Sequence, residues 1–250
     1  MANQLIDEKI NLLARQLKIP TFASYETIIR RADSDATFEQ MLCMLMQTEY
    51  DHRQENQNQR RLKQAGFPYT KTIDELDLAR YNGEISHIFM NDLSSCKFIS
   101  ERRNIIMLGN PGRGKTHMAI GLGLKACSIG MRVLFKNAAS LSTELMEARD
   151  NYALGKLEKR ISKADLLILD EMGYVSFDRY QSELLFKIIA ERSERGSIIV
   201  TTNLPFSEWT TLFENTAMVA AMIDRLTFQS YVLDMNGESY RLARTKKGKR

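Results

Sequence analysis

The segment Gly109-Asn110-Pro111-Gly112-Arg113-Gly114-Lys115-Thr116 constrains this chain more than any other. It fits G-x-x-x-x-G-K-[ST] and directly follows the apolar run Ile105-Ile106-Met107-Leu108. A buried strand, a glycine-rich turn and a helix beginning at the lysine are therefore expected in that order. Gly112 and Gly114 allow the turn positive φ and bring backbone N–H groups close to phosphate oxygens. The following helix, expected to run to about Ala126, points the positive end of its dipole at the same anion. On this reading Gly109, Asn110, Pro111, Gly112, Arg113, Gly114, Lys115, Thr116 and His117 hold a nucleoside triphosphate. Lys115 would reach the β- and γ-phosphates, which makes it a catalytic candidate too, and the Thr116 hydroxyl would ligate Mg²⁺. The competing reading is a chance glycine-lysine turn, which the strand-turn-helix context disfavours.

Composition narrows the remaining classes. A chain of 250 residues holds one large domain, or one domain and a small appendage. No apolar run approaches the ~18 residues of a membrane span. The start, Met1 to Glu8, carries acids and no hydrophobic region of the signal-peptide kind. Cys43, Cys96 and Cys127 match neither a disulfide framework nor a zinc spacing, so inert or buried thiols in a reducing cytoplasm are expected. A net charge of +4 does not by itself identify a nucleic-acid binder. Its distribution says more. Arg241 to Arg250 holds six Lys or Arg and no acid, and Arg53, Arg60, Arg61 and Lys63 face only Glu55 in their segment. A solvated surface and a polyanion partner both fit these runs.

Residues 1–66 read as helical. Leu5, Ile6, Ile10, Leu13 and Leu17 recur at helical spacing, and Pro20 stops that helix. Ser24 is placed to cap a short helix through Arg31, and Thr37 a long one from Phe38 to about Ala65. Phe38, Met41, Leu42, Leu45 and Met46 form an apolar stripe expected to pack on neighbouring helices. From about Pro68 the pattern changes to alternating strands and helices. Strands are expected at 105–108, 133–135, 166–169, 198–201 and 231–233, in a largely parallel sheet covered on both faces. The organisation is thus a helical domain over 1–66 and an α/β nucleotide-binding domain over 67–250.

Three further segments fit an ATPase. Leu166 to Leu169 is a buried-strand run ending in Asp170 and Glu171. Asp170 is placed to hold Mg²⁺ through water, and Glu171 to polarise an attacking water as general base. Ser197 to Thr202 is a second such run, delivering Asn203 to the same sheet edge. Asn203 is either a sensor of the γ-phosphate or a plain strand-ending turn residue. Arg225, in Met222-Ile223-Asp224-Arg225-Leu226, is either an arginine finger that stabilises transition-state charge or one partner of a surface ion pair with Asp224 or Glu214.

Together these segments resemble the initiator-type branch of AAA+ ATPases, and the match tightens to the IstB/DnaC-like group. It is closest to IstB, the helper ATPase encoded beside the transposase of certain bacterial insertion sequences. Phe67-Pro68 with Lys71-Thr72, Leu169-Asp170-Glu171-Met172-Gly173-Tyr174, Thr201-Thr202-Asn203-Leu204-Pro205-Phe206 and Gly237-Glu238-Ser239-Tyr240-Arg241 carry the resemblance along nearly the whole chain. It implies a five-stranded parallel core of order 5-1-4-3-2. It also implies a homo-oligomer in which Arg225 acts in trans on a neighbour's ATP and Asn203 is the sensor. The oligomer would grip and bend duplex DNA and recruit or stimulate a transposase in a bacterial cytoplasm. The segment after Arg225 leaves room for a strand and a basic tail but not for the helical lid of most AAA+ proteins. Arg241 is then a candidate for contacting nucleotide or DNA.

The resemblance also implies an extra helix between the second strand and Asp170. Residues 138–164 are long enough for two helices and carry Arg149, Lys156, Lys159 and Arg160 as candidate phosphate contacts. No base-reading motif is evident, so binding should be largely sequence-independent. The nearest rival function is a DnaC-like loader of a replicative helicase. A small-molecule kinase would use the same phosphate cradle without oligomer or DNA, and an ATP-gated scaffold would not need the Asp170-Glu171 pair.

Overall fold

The computed structural model describes residues 2–81, 85–237 and 239. The chain divides into two units, Met1–Arg60 and Arg61–Arg250. The first contains α1 (Ala2–Gln16), α2 (Tyr25–Ile29) and most of α3 (Phe38–Ala65), whose last turn enters the second unit. Pro20 opens a 3-10 turn, Pro20–Ser24, as its missing N–H allows. Thr37 and Gln40 cap α3 reciprocally: the Thr37 N–H donates to Gln40 Oε1 at 2.7 Å, and the Gln40 N–H to Thr37 Oγ1 at 3.4 Å.

Two expectations for this unit need correction. Ser24 makes no side-chain cap, and α2 stops at Ile29 rather than Arg31. The apolar stripe of α3 is mostly not packed: Leu45 is buried, but Phe38, Leu42 and Met46 are exposed. The reason is that a polar knot, not an apolar seam, ties α3 to the turn before α2. The buried Glu49 carboxylate accepts from the Thr21 N–H at 3.1 Å, from the Thr21 hydroxyl at 2.5 Å and from Arg53 Nε at 2.6 Å. Burial works against the charge, yet these hydrogen bonds outweigh it and hold Glu49 below the usual carboxylate range.

The second unit is a doubly covered parallel sheet. After α4 (His87–Ser94) and α5 (Lys97–Ser100) come β1 (Asn104–Leu108), α6 (Lys115–Ser128), β2 (Val133–Asn137), α7 (Ala138–Asp150) and α8 (Leu154–Ser162). Next are β3 (Leu166–Asp170), α9 (Arg179–Arg195), β4 (Ser197–Thr202), α10 (Thr216–Thr227) and β5 (Ser230–Asp234). The strand order is β5-β1-β4-β3-β2, all parallel, as the resemblance implied. Each expected strand forms and extends by one or two residues. No helix follows β5 among the described residues.

β3 and β4 are buried along their whole length, which parallel strands with helices on both faces require. One face packs on α4 and α6 through Met90, Met118 and Leu122; the other packs on α7, α9 and α10 through Leu141, Leu185 and Met222. At the sheet edge away from the glycine-rich turn, the buried Arg192 of α9 donates to the carbonyls of Ser162, Ala164, Asp165 and Ser197. It thereby satisfies acceptors at the entries of β3 and β4. Of the thiols, Cys96 and Cys127 are buried and pushed up to about 11 by desolvation, whereas Cys43 is exposed.

Candidate functional site

Parallel strands deliver their carboxyl ends to one edge, and loops leaving that edge build the site. Here β1 ends in the glycine-rich turn, β2 in Asn137, β3 in Asp170 and β4 in Thr201-Thr202. Asn137 and Asp170 are paired residues of β2 and β3, and Met107 and Thr201 of β1 and β4, so register sets these side chains side by side.

The turn has the backbone that the motif needs. Gly114 sits at φ 87° at the N-cap of α6. A Cβ there would lie 2.8 Å from the Tyr81 hydroxyl, whose proton goes to the Arg113 carbonyl at 2.7 Å. Lys115 is buried and its ammonium donates to the carbonyls of Gly109 (2.5 Å) and Asn110 (2.9 Å), curled within the loop it would extend from to meet a phosphate. Arg113 is buried too, donating to the Met235 carbonyl at 3.0 Å and the Arg80 carbonyl at 2.8 Å. The Asn110 N–H donates to Asn236 Oδ1 at 3.2 Å, so the chain leaving β5 lies against the turn. His117, one turn into α6, is 2.7 Å through Nε2 from the Thr72 carbonyl. Gly114→Ala is expected to weaken nucleotide binding about tenfold or more with the fold retained, because positive φ and the Tyr81 contact both resist a Cβ. Titration of a fluorescent ATP analogue beside a melting curve checks this, and an unchanged affinity would sink it.

Asp170 and Thr116 are brought together. The Thr116 hydroxyl donates to Asp170 Oδ1 at 2.9 Å, and the Thr201 hydroxyl donates to the same oxygen at 2.6 Å. Burial pushes the Asp170 carboxyl up, against the opposing pull of these two hydroxyls and of the Lys115 charge. A hydroxyl and one carboxylate, with no cluster of three or more His, Cys, Asp or Glu among the described residues, is a poor cage for calcium or zinc. It fits Mg²⁺, which takes one or two protein oxygens and completes its shell with phosphate and water.

Glu171 follows at φ 60°, a left-handed conformation uncommon for a non-glycine residue. Its N–H donates to the Thr201 hydroxyl at 2.9 Å, and its Oε2 accepts from Asn137 Nδ2 at 2.8 Å. Asn137 simultaneously caps α7, its Oδ1 accepting from the N–H groups of Ala139 and Ser140. Asn203 lines the same cleft, and its Oδ1 is buried without a partner. A Cβ on Gly173 would lie 2.6 Å from that oxygen, so a glycine there keeps the acceptor's place open. An orphaned buried acceptor beside a phosphate cradle suits a bound water or nucleotide.

The cleft measures about 370 Å³, within the range of small-molecule sites. Tyr69, Leu76 and Tyr81 form part of its wall. That wall, Thr201 and Asn137 were missed by motif reasoning. Thr201 and Asn137 were findable as polar residues ending buried strands, whereas the segment 69–81 carries no periodic signal.

Arg225 is not among the residues lining this cleft. It donates to the Ala221 carbonyl at 3.0 Å and lies 5.4 Å over the Phe186 ring of α9, with no ion pair to Asp224 or Glu214. Buried Asn104 anchors its helix: Nδ2 donates to the Leu226 carbonyl at 3.1 Å while Oδ1 accepts from the Ile198 N–H at 3.0 Å. The four candidate DNA contacts lie on α7 and α8. Arg149 pairs with Asp150 and stacks on Tyr180, Arg160 stands 3.9 Å from Glu144, and Lys156 and Lys159 are exposed. Arg241 and the rest of the basic tail lie outside the described residues. No described helix is long and apolar enough to cross a membrane.

The chain is 35% identical to the ATP-binding protein of insertion sequence IS21 from Pseudomonas aeruginosa, covering 96% of this chain and 91% of the relative. It is 34% identical to the corresponding IS5376 protein of Geobacillus stearothermophilus, covering 94% of each. Among solved structures, the DnaC helicase loader superposes with a TM-score of 0.54 at 19% identity, over 70% of this chain and 98% of that one. AMPPCP-bound DnaA from Aquifex aeolicus gives 0.58 at 17% identity, over 73% and 55%. Those two show a shared fold and no more. The IstB-like ATP binding protein family matches residues 12–248, and with the insertion-sequence relatives this places the chain in that family.

Proposed function

We propose that the protein is a Mg²⁺-dependent ATPase that assembles on duplex DNA, bends it and stimulates the transposase of its own insertion sequence. The observation that carries the proposal is the hydrogen-bonded run Thr116–Asp170–Thr201–Glu171, which joins the phosphate cradle to a base candidate. Lys115 would bind the β- and γ-phosphates; Thr116 and Asp170 would hold Mg²⁺, which when bound neutralises charge on the phosphate oxygens. Glu171 would orient and deprotonate the attacking water, and Asn203 would hold that water against the γ-phosphate. Arg225, lying outside its own cleft, would complete the cleft of a neighbouring copy, so the active form is a homo-oligomer. Residues 1–66 would carry the partner or oligomer contact.

DNA contact falls to α7 and α8, where Lys156 and Lys159 are exposed and backbone contact needs no base-reading element. Loading of a replicative helicase is the alternative, supported only by a shared fold; the relatives that match over nearly the whole chain come from insertion sequences. The test is ATP turnover and particle size with and without long duplex DNA, and with purified transposase or helicase. DNA-stimulated turnover, ATP-dependent assembly on DNA and a response to transposase are expected. Turnover by a monomer indifferent to DNA would overturn the proposal. In the same assay, Lys156→Ala, Lys159→Ala and Arg160→Ala together should flatten the slope of log affinity against log salt by about two to three. An unchanged slope would remove α8 from the DNA surface.

A further inference from the structure

The turn between α7 and α8 is built in a way that folding alone does not favour. The Tyr152 N–H donates to the Arg149 carbonyl at 3.1 Å and the Ala153 N–H to the Ala148 carbonyl at 2.7 Å. This is a Schellman motif with Tyr152 at the left-handed position, φ 55°, where glycine is the default residue. The chain puts a large aromatic there and leaves it 99% exposed. A bulky residue held in an unfavourable conformation and touching nothing in its own fold points to a contact outside it.

What lies beside the tyrosine identifies the partner chemistry. Lys156, Lys159, Arg160 and Lys163 share the outward side of α8, while Leu157 and Ile161 on the opposite side are buried. Among the described residues Lys156, Lys159 and Lys163 join no ion pair, because the neighbouring acids are engaged elsewhere: Glu158 by Lys187, and Glu144 by Lys136 and Arg160. A Cβ on Gly155, between the tyrosine and the first lysine, would meet nothing within 4 Å, so another backbone could approach closely there. Row of cations, bare backbone and protruding aromatic together match a nucleic-acid duplex rather than an apolar protein surface.

We infer that Tyr152 is the residue that deforms the duplex: it packs into the groove against bases or sugars while Lys156, Lys159 and Lys163 hold the adjoining phosphates. This rests on the DNA-binding reading above and adds to it a division of labour, with cations setting salt dependence and most of the affinity, and the tyrosine setting the bend and adding one stacking contact. Each protomer would contribute one such wedge, and a large bend would be the sum of many small ones.

The experiment uses the full chain with a non-hydrolysable ATP analogue and an end-labelled duplex whose bend is read by energy transfer. Tyr152→Gly is expected to lose most of the bend and to bind about tenfold more weakly, as for a lost stacking contact, with an unchanged salt slope. The same variant should melt about 2–4 °C higher, since glycine relieves the left-handed position. Tyr152→Phe should behave as the unmodified chain. A Tyr152→Gly protein that bends and binds DNA normally overturns the inference and leaves the DNA reading standing. So does one that keeps the bend and loses only transposase stimulation, which would make Tyr152 a protein contact. So does one that melts lower and loses nucleotide binding as well, which would make it structural. An unmodified chain that fails to bind duplex overturns the DNA reading and this inference with it.

Discussion

Arg225→Ala is expected to lower DNA-stimulated ATP turnover by about 10³-fold or more while leaving ATP affinity near that of the unmodified protein. Arg225 does not line its own cleft, so its removal does not touch the cradle that binds nucleotide. Its guanidinium is held by the Ala221 carbonyl and the Phe186 ring, both within its own chain, and Asn104 ties the helix end to β4. That leaves a cation presented on a fixed support, which suits insertion into a second copy. The decisive form of the measurement mixes proteins. On the proposed roles, Arg225→Ala protomers would keep their clefts and lack the finger, whereas Glu171→Gln protomers would keep the finger and lack the base. If the site is shared between copies, the mixture hydrolyses ATP although neither component does. If the mixture stays inactive, or if Arg225→Ala alone turns over normally, the shared site is wrong.

Glu171→Gln should reduce turnover by about 10²- to 10⁴-fold, the range for losing a general base, without weakening nucleotide binding. The substitution keeps the shape and the N–H bond to Thr201, and removes the negative charge and with it the ability to take a proton. Because ATP would then persist, the variant should accumulate on DNA instead of leaving it, which size measurements in the presence of duplex would show. Normal turnover would move the base elsewhere in the cleft. Asn137 bears on the same carboxylate, since its amide both caps α7 and holds Glu171 Oε2 at 2.8 Å. The position of the Glu171 carboxylate and the start of α7 are therefore set by one side chain.

The sheet was readable because buried parallel strands are written as short uninterrupted apolar runs, and the edge of each run fell where chemistry begins. Leu166 to Leu169 announced Asp170 and Glu171; Ile198 to Val200 announced Thr201 to Asn203. What escaped was the part of the cleft that depends on chain reversal rather than periodicity. Tyr81 reaches the Arg113 carbonyl from a 3-10 turn, and His117 meets Thr72 across α6, contacts that no spacing rule encodes. The α3 stripe misled for a different reason. An apolar repeat says which side chains favour burial, not whether enough neighbours exist to bury them, and Glu49 rather than Phe38 or Met46 collects the contacts there. Tyr152 could not be singled out at all, because its significance lies in a backbone conformation and an exposure that the letter Tyr does not reveal.

Strand register has a consequence for how such a protein can diversify. Asn137, Asp170 and Thr201 are held in line by the pairing of β2 with β3 and of β3 with β4. One inserted residue in any of these strands would turn its side chains to the opposite face and dismantle the cleft in a single step. The turn from Asn151 to Ala153 carries no such burden, because nothing in the sheet is aligned through it. The exposed surface of that short turn can thus be rewritten without disturbing the sheet, while the residues of the cleft must be inherited as a block.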